Sequence, residues 1–325
     1  MNNPLISIII PIYNLNNNLN QCLDSLIHQT EKNIEIIIID DCSQDDIRLW
    51  ISNNYNDNRI IYHRLNENTG PGGARNAGVS LAKGKYIGFC DSDDWVDIQY
   101  FEKACYALEK EHAQIAVCGR IREEGDINIT MPKYHYDSEN IISGKTAFQV
   151  LSINYKMGFE ISPMCTDKVF LLSFIKKNKL RFQENVYYQD VLFLVNAFLE
   201  DCLVITVPDS FYHYFKREDS IIQSFSQKHI SDYINLCSSL RMLLQERHLL
   251  EKYKINYFNI IIAYFSVLLK GLDSFVFSEI QQKNYLRDIV SSLFAVINIE
   301  DLVMTYPFPQ IRDTLNKCFG DSIVE

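Results

Sequence analysis

Short β-branched runs and helical stripes alternate along the first 118 residues of the chain. Ile6-Ser7-Ile8-Ile9-Ile10 and Ile34 to Ile39 are apolar runs of the kind expected of strands covered on both faces. Between them Leu19, Cys22, Leu23, Leu26 and Ile27 recur at helical spacing. Ser43 and Asp46 predict a capping box for the next helix, with Asp in place of the usual Glu. Arg59 to His63 and Lys85 to Cys90 read as third and fourth strands, and Gln114 to Cys118 as a fifth. Ile98 to His112 reads as a helix with Phe101, Cys105 and Leu108 on one side. Such alternation predicts an α/β domain, a mostly parallel sheet with helices on both faces.

Beyond Arg120 the pattern loosens. Gly144 to Tyr155 and Asp190 to Glu200 predict helices, while Leu203 to Val207 and Phe211 to Phe215 predict two short strands. From Lys228 onward the pattern is almost wholly helical, opening with Leu236, Leu240, Leu243 and Leu244. A boundary is placed near residue 225. It separates residues 1–225, with halves 1–118 and 119–225, from an α-helical C-terminal region, 226–325. Tyr257 to Leu269 is strongly apolar but falls short of the roughly 20 residues a membrane span requires, and predicts a buried helix.

Composition narrows the class. The 325 residues are 47% hydrophobic and 22% charged, which supplies a sizeable core. A formal charge of −10 excludes a broad grip on nucleic acid, which needs clustered excess Lys and Arg. The local run Lys176-Lys177-Asn178-Lys179, followed by Arg181, reads as a solvated helix face in preference to a phosphate or membrane patch. Nine cysteines run from Cys22 to Cys318 without a CxxC pair, so reduced, mostly buried thiols and a cytoplasmic setting are expected. Leu5 to Ile12 lacks a basic lead and a cleavage site, so no signal peptide is expected there.

In an open parallel sheet, ligands collect at the carboxyl ends of strands. Four such ends carry unusual residues: Pro11-Ile12-Tyr13-Asn14, Asp40-Asp41-Cys42-Ser43, the stretch from Asn66 to Asn76, and Asp91-Ser92-Asp93-Asp94. Three carboxylates within four residues repel one another unless something cationic sits among them. Mg²⁺ or Mn²⁺ is the simplest answer, because such an ion takes few protein carboxylates and completes its shell with phosphate oxygens. The alternative is a solvated acidic turn capping the helix at Ile98. Gly70-Pro71-Gly72 resembles the start of a dinucleotide fingerprint, but Arg75 stands where the third glycine belongs, and the stretch follows the third strand instead of the first. Glycines leading into a helix with Arg75 in its first turn suit an anion or a nucleobase edge better. No GxxxxGK[ST] occurs, so a P-loop enzyme is excluded.

Ser7 to Asn14, Ile37 to Ser43, Gly73-Ala74-Arg75-Asn76-Ala77-Gly78 and Asp91 to Asp94 together resemble the family-2 glycosyltransferases of the GT-A fold. The resemblance runs in order over roughly residues 5–97. A weaker match continues through Tyr188-Gln189-Asp190-Val191-Leu192-Phe193 and Tyr212-His213-Tyr214. It implies a GT-A, Rossmann-like domain that binds a UDP-sugar. The turn at Pro11, Tyr13 and Asn14, with Asp40 and Arg75, would surround the nucleobase. Asp91, with Ser92, would lie at the ribose, and Asp93 and Asp94 would hold Mn²⁺ or Mg²⁺ at the diphosphate. His213 is a candidate third metal ligand or diphosphate contact, or else a packed histidine among aromatics. The family usually inverts the anomeric centre with a carboxylate base from an acidic pair at a helix start, where Asp190 stands. The sequence departs from the pattern at Gln189, where Glu is commoner, and at Cys42, where Gly is commoner.

The resemblance thus implies transfer of a hexose or N-acetylhexosamine to an oligosaccharide, polysaccharide or lipid-linked acceptor, in capsule or lipopolysaccharide synthesis. Peripheral contact with the inner membrane face is compatible with it, as is an oligomer formed through the helical tail. A sugar nucleotidyltransferase would carry a Gly-rich, basic loop straight after the first strand, which Ile12-Tyr13-Asn14-Leu15 is not. A binding or assembly protein that has lost its chemistry is the second alternative, and the intact acidic cluster with Asp190 argues against it. Trp95 could floor an acceptor pocket or simply pack the turn. Lys168, Lys216 and Arg217 could meet phosphates, with surface charge the default reading for each.

Overall fold

The computed structural model describes residues 3–124, 127–130, 134–151, 159–216, 226–274, 284–285, 287–289 and 291. The elements β1 (Ile6–Ile12), α1 (Leu19–Ile27), β2 (Ile34–Asp40), α2 (Ile47–Asn54), β3 (Ile60–Arg64), α3 (Gly70–Leu81) and β4 (Tyr86–Phe89) open the chain. Their strands pair in parallel in the order β3-β2-β1-β4. β1 and β2 are buried along their whole length. Because side chains alternate across a strand, Ile6, Ile8, Ile10 and Ile12 join a core with Leu19, Cys22, Leu23 and Leu26 of α1 and Ile47 and Ile51 of α2. Ile9 faces the other way, onto α3, where a Cβ on Gly78 would stand 2.3 Å from Ile9 Cγ2. Each such burial stabilises by roughly 1.5–3 kcal/mol, which explains why β-branched runs here form central strands.

The sheet continues through β5 (Trp95–Val96), α4 (Tyr100–Glu111), β6 (Ile115–Glu124), β7 (Ile127–Thr130), β8 (Ile141–Ser143), α5 (Gly144–Leu151), β9 (Lys168–Leu171), α6 (Leu172–Lys177), α7 (Gln189–Leu199) and β10 (Leu203–Phe215). The full order is β3-β2-β1-β4-β9-β6-β10-β5, with β7 on β6 and β8 on β10. β9 enters between β4 and β6 and runs antiparallel to both. The mostly parallel sheet expected from the sequence therefore holds for the first four strands, while the sheet as a whole is mixed. The two short strands expected at 203–207 and 211–215 are one strand, β10, interrupted by a bulge between Val207 and Phe211. Asp209, at φ 49°, turns the chain inside that bulge. The helix expected from Gly144 is seen as α5 up to Leu151; residues 152–155 of that expectation lie outside the described residues.

The capping box expected at Ser43 does not form. Asp46 is itself the N-cap of α2 and accepts a hydrogen bond from Leu49 N at 2.9 Å, while Ser43 Oγ accepts from Asn14 N at 2.9 Å. Cys42 sits at φ 65°. That left-handed conformation costs an L-residue about 1–2 kcal/mol, against about 0.5–1 kcal/mol for the extra freedom glycine loses on folding. Cys42→Gly is therefore expected to raise the unfolding free energy by roughly 0.5 kcal/mol. Denaturant titration checks this; a clear loss of stability would mean the thiol contributes packing that outweighs the strain.

The chain divides into two compact units, residues 1–151 with 155–216, and residues 152–154 with 217–325. In the second unit α8 (Gln227–Glu246) packs on α9 (Lys254–Ser274). Tyr233 Oη donates to Ile261 O and Tyr257 Oη to Cys237 O, each at 3.2 Å. The apolar stretch from Tyr257 lies within α9, with Tyr257, Phe258, Ile261, Phe265 and Leu268 buried. Among the described residues no helix is long and apolar enough to cross a membrane. The described cysteines are free thiols, all buried except Cys42. Cys318, Arg217 and most of the expected helical tail beyond α9 lie outside the described residues.

Candidate functional site

Three loops leave the carboxyl ends of β1, β2 and β4 and are stitched to one another. Pro11 is buried near the end of β1, and Tyr13 beyond it is 53% exposed. Asn14 turns at φ 61°, a conformation asparagine tolerates, and its Oδ1 accepts from Gln44 N at 2.8 Å. Asn16 Nδ2 donates to Ser92 Oγ at 2.9 Å and Asn18 Nδ2 to Asp93 O at 3.2 Å, so the first loop grips the acidic one. Asp40 is fully buried and accepts from Ser43 N (2.8 Å), Tyr62 Oη (2.6 Å) and Arg64 Nη1 (2.8 Å). Burial opposes its ionisation, but these bonds and the Arg64 charge outweigh that and hold its pKa below the usual value. Asp41 Oδ1 accepts from Thr69 N and Thr69 Oγ1, at 2.8 and 3.0 Å, which anchors the start of α3.

The helix α3 then delivers Arg75 inward. Its side chain is only 3% exposed. Nη2 lies 2.6 Å from Asp91 Oδ1, at the end of β4, and Nη1 lies 3.3 Å from Asp190 Oδ1, in the first turn of α7. A close approach of two backbones makes this possible: a Cβ on Gly72 would stand 2.1 Å from Gln183 O and 2.4 Å from Gln189 Oε1. Only glycine lets the first turn of α3 lie that near the segment entering α7. An aromatic cluster holds α7 in place. Phe193 stacks on Phe182 with ring centroids 3.9 Å apart and meets Phe89 and Phe170 edge-on. Arg75 Cζ lies 5.6 Å from the Phe182 ring centroid.

Asp190 is 8% exposed in its side chain. Its Oδ2 accepts from Cys165 N at 3.3 Å and its Oδ1 from Cys165 Sγ at 3.4 Å. Burial raises its pKa, and the Arg75 guanidinium opposes that rise without cancelling it. Asp190 is thus a carboxylate of enhanced basicity beside the acidic loop at the end of β4.

The acidic loop is held from below by β10. Tyr212 Oη donates to Asp94 Oδ2 at 2.6 Å, and Phe215 N to Asp94 Oδ1 at 2.9 Å. Asp94 is buried, and burial with the neighbouring Asp93 and Asp91 charges pushes its pKa well up. His213 bridges Asp97 (Nε2 to Oδ1, 2.9 Å) and Glu123 (Nδ1 to Oε1, 2.6 Å). Burial works against its protonation, but the two carboxylates prevail and raise its pKa. Its ring stacks on Trp95, with centroids 5.6 Å apart and planes 13° apart. Among the described residues no group of three or more His, Cys, Asp or Glu side chains is arranged to hold a metal ion by itself. Both Asp94 oxygens and both His213 nitrogens are engaged by protein partners, and Asp93 is half-buried in the same loop. This donor set fits an ion that takes one or two carboxylates and completes its shell with phosphate oxygens.

Lys168 corrects an expectation. Read as surface charge, it is 0% exposed, the first residue of β9. Its Nζ donates to Ser162 O and Met164 O, both at 2.7 Å, and pairs with Asp167 Oδ1 at 2.6 Å. Sequence reasoning also missed Asn16, Asn18 and Cys165. The asparagines follow the first strand end directly, a position that marks them as loop candidates; Cys165 carries no local signal.

Residues 7–173 match the family described as Glycosyl transferase family 2. The putative glycosyltransferase EpsH of Bacillus subtilis is 30% identical over 271 residues, covering 78% of this chain and 73% of that protein. A poly(ribitol-phosphate) beta-glucosyltransferase of Bacillus spizizenii is 32% identical over 66% of this chain, which spans 32% of that longer protein. The crystal structure of S. aureus TarS 1–349 in complex with UDP-GlcNAc superimposes with a TM-score of 0.64 at 19% identity, covering 90% of this chain and 81% of that one. The mixed sheet, the site at its strand ends and these matches place the chain in glycosyl transferase family 2, with the GT-A fold.

Proposed function

We propose that the protein transfers a hexose or N-acetylhexosamine from a UDP-sugar to a carbohydrate acceptor, with inversion and with Asp190 as general base. The observation that carries this reading is the single guanidinium of Arg75 set between Asp91 and Asp190. It places a basic carboxylate beside the loop where a donor diphosphate would lie. In this reading Pro11, Tyr13, Asn14 and Asp40 shape the nucleobase pocket, Asp91 and Ser92 border the ribose, and Asp93 faces the diphosphate. Arg75 then serves by fixing Asp91 and Asp190 relative to each other, in place of a nucleobase contact. Asp94 ties the loop to Tyr212 and Phe215 of β10, and His213 of β10 braces it through Asp97 and Glu123. A divalent ion held by Asp93 would supply Lewis-acid neutralisation of the charge that builds on the leaving diphosphate. Asp190 accepts the proton of the acceptor hydroxyl as that oxygen attacks the anomeric carbon from the face opposite the diphosphate.

The TarS complex holds UDP-GlcNAc, and the Bacillus spizizenii relative is named for a poly(ribitol-phosphate) acceptor. These support a UDP-sugar donor and a surface-polymer acceptor. Calorimetry with UDP tests the donor half of the reading. UDP is expected to bind with Mn²⁺ present, and Asp93→Ala or chelator is expected to weaken it by at least about tenfold, or about 1.4 kcal/mol. UDP affinity indifferent to both would remove Asp93 and the ion from the donor site.

A further inference from the structure

Two features of the loop before β9 bear on the base, and neither belongs to the donor site. The first is its anchorage. The fully buried Lys168 holds the carbonyls of Ser162 and Met164 at 2.7 Å, and Lys168 N donates to Cys165 O at 3.2 Å. Cys118 N of β6 donates to Asp167 O at 2.9 Å, which ties the same loop to the sheet. The second is what the anchored loop presents. Cys165 is 0% exposed and offers both its backbone N–H and its thiol to the Asp190 carboxylate, at 3.3 and 3.4 Å.

We infer that Cys165 is a positioning residue for the general base: its thiol, carried on the Lys168-anchored loop, orients the Asp190 carboxylate and favours its ionised form. This rests on the reading of Asp190 as base. The charged and titratable groups that face Asp190 are Arg75 from α3, Asp91 from the end of β4 and Cys165 itself. Burial pushes the Cys165 pKa well up, although the Arg75 charge opposes this, so the sulfur keeps its proton and remains a donor. Arg75 reaches Oδ1 at 3.3 Å while making its shorter bond, 2.6 Å, to Asp91. The orientation of Asp190 therefore depends on Cys165 as well as on the guanidinium. Removing the thiol takes away a hydrogen bond to the charged form, which raises the pKa of a carboxylate.

The test is the pH dependence of UDP release by the full chain, using whichever UDP-sugar it consumes, for wild type, Cys165→Ala, Cys165→Ser and Asp190→Asn. For Cys165→Ala, kcat is expected to fall roughly 3- to 10-fold, with the donor KM within about twofold. The acid limb of kcat is expected to move up by roughly half to one pH unit, a shift of one unit being a tenfold change in the ionisation equilibrium. Cys165→Ser, which retains a donor at the same place, is expected to restore kcat and the limb. An acid limb unmoved in Cys165→Ala, or Cys165→Ser indistinguishable from it, would overturn the inference. Should Cys165→Ala not fold, the serine variant decides alone: a limb at or below the wild-type position supports the role, and a limb moved upward overturns it. Asp190→Asn separates the two readings. If it keeps the wild-type rate, the base assignment fails and the inference with it; if it loses turnover while Cys165→Ala leaves the limb in place, only the positioning role fails.

Discussion

Asp190→Asn is expected to lower kcat by about 10²- to 10⁴-fold, the usual contribution of a positioned general base, with the donor KM little changed. The amide keeps the shape of the side chain and can still meet one Arg75 N–H, so the fold is expected to survive. What it cannot do is take a proton. Burial raises the Asp190 pKa, and a base works in its deprotonated form, so wild-type kcat is expected to fall as pH drops through a value above that of an ordinary aspartate. In Asp190→Asn that acid limb disappears together with the rate. Initial rates of UDP release across pH check both points. A variant with wild-type turnover would move the base elsewhere.

Arg75→Met is expected to be the most destabilising single change in the site, by about 3–5 kcal/mol. Methionine fills much of the same space against Phe182 but leaves the buried Asp190 and the partly exposed Asp91 without their shared cation. Most of the cost falls on Asp190, because solvent relieves part of the Asp91 charge. Arg75→Lys is expected to recover only a fraction, since one ammonium cannot span two carboxylates as a planar fork does. Adding Asp190→Asn to Arg75→Met is expected to restore part of the loss, a non-additivity that marks a shared network. Denaturant unfolding of the two single variants and the double variant measures it. Strict additivity would mean the bridge carries no coupling.

The parts of the fold that were legible were those with strong local signals. β1 and β2 are β-branched and buried on both faces, and the apolar side of α1 repeats at helical spacing. The acidic loop announced itself through the like-charge repulsion of Asp91, Asp93 and Asp94. β9 was missed because it is only four residues long, begins with a lysine, and runs straight into the apolar α6. Its place in the sheet is decided by partners distant in sequence, β4 and β6. Lys168 misled for the same reason: a lysine reads as solvent-facing until the carbonyls that receive it are known. Arg75 was legible as an anion-facing group but not as a bridge, since its partners Asp91 and Asp190 stand on other elements. Cys165 gave no signal, because a single buried cysteine has the same local pattern whether it fills space or donates to a base.

The most direct measurement is UDP release from a panel of UDP-sugars, with Mn²⁺, with Mg²⁺ and with chelator, for the wild-type chain. Metal-dependent release from one donor, lost with chelator, is the expected result, and it would name the sugar as well as the class. No release from any UDP-sugar, together with no detectable UDP binding in either metal, would contradict a donor site at the ends of β1, β2 and β4.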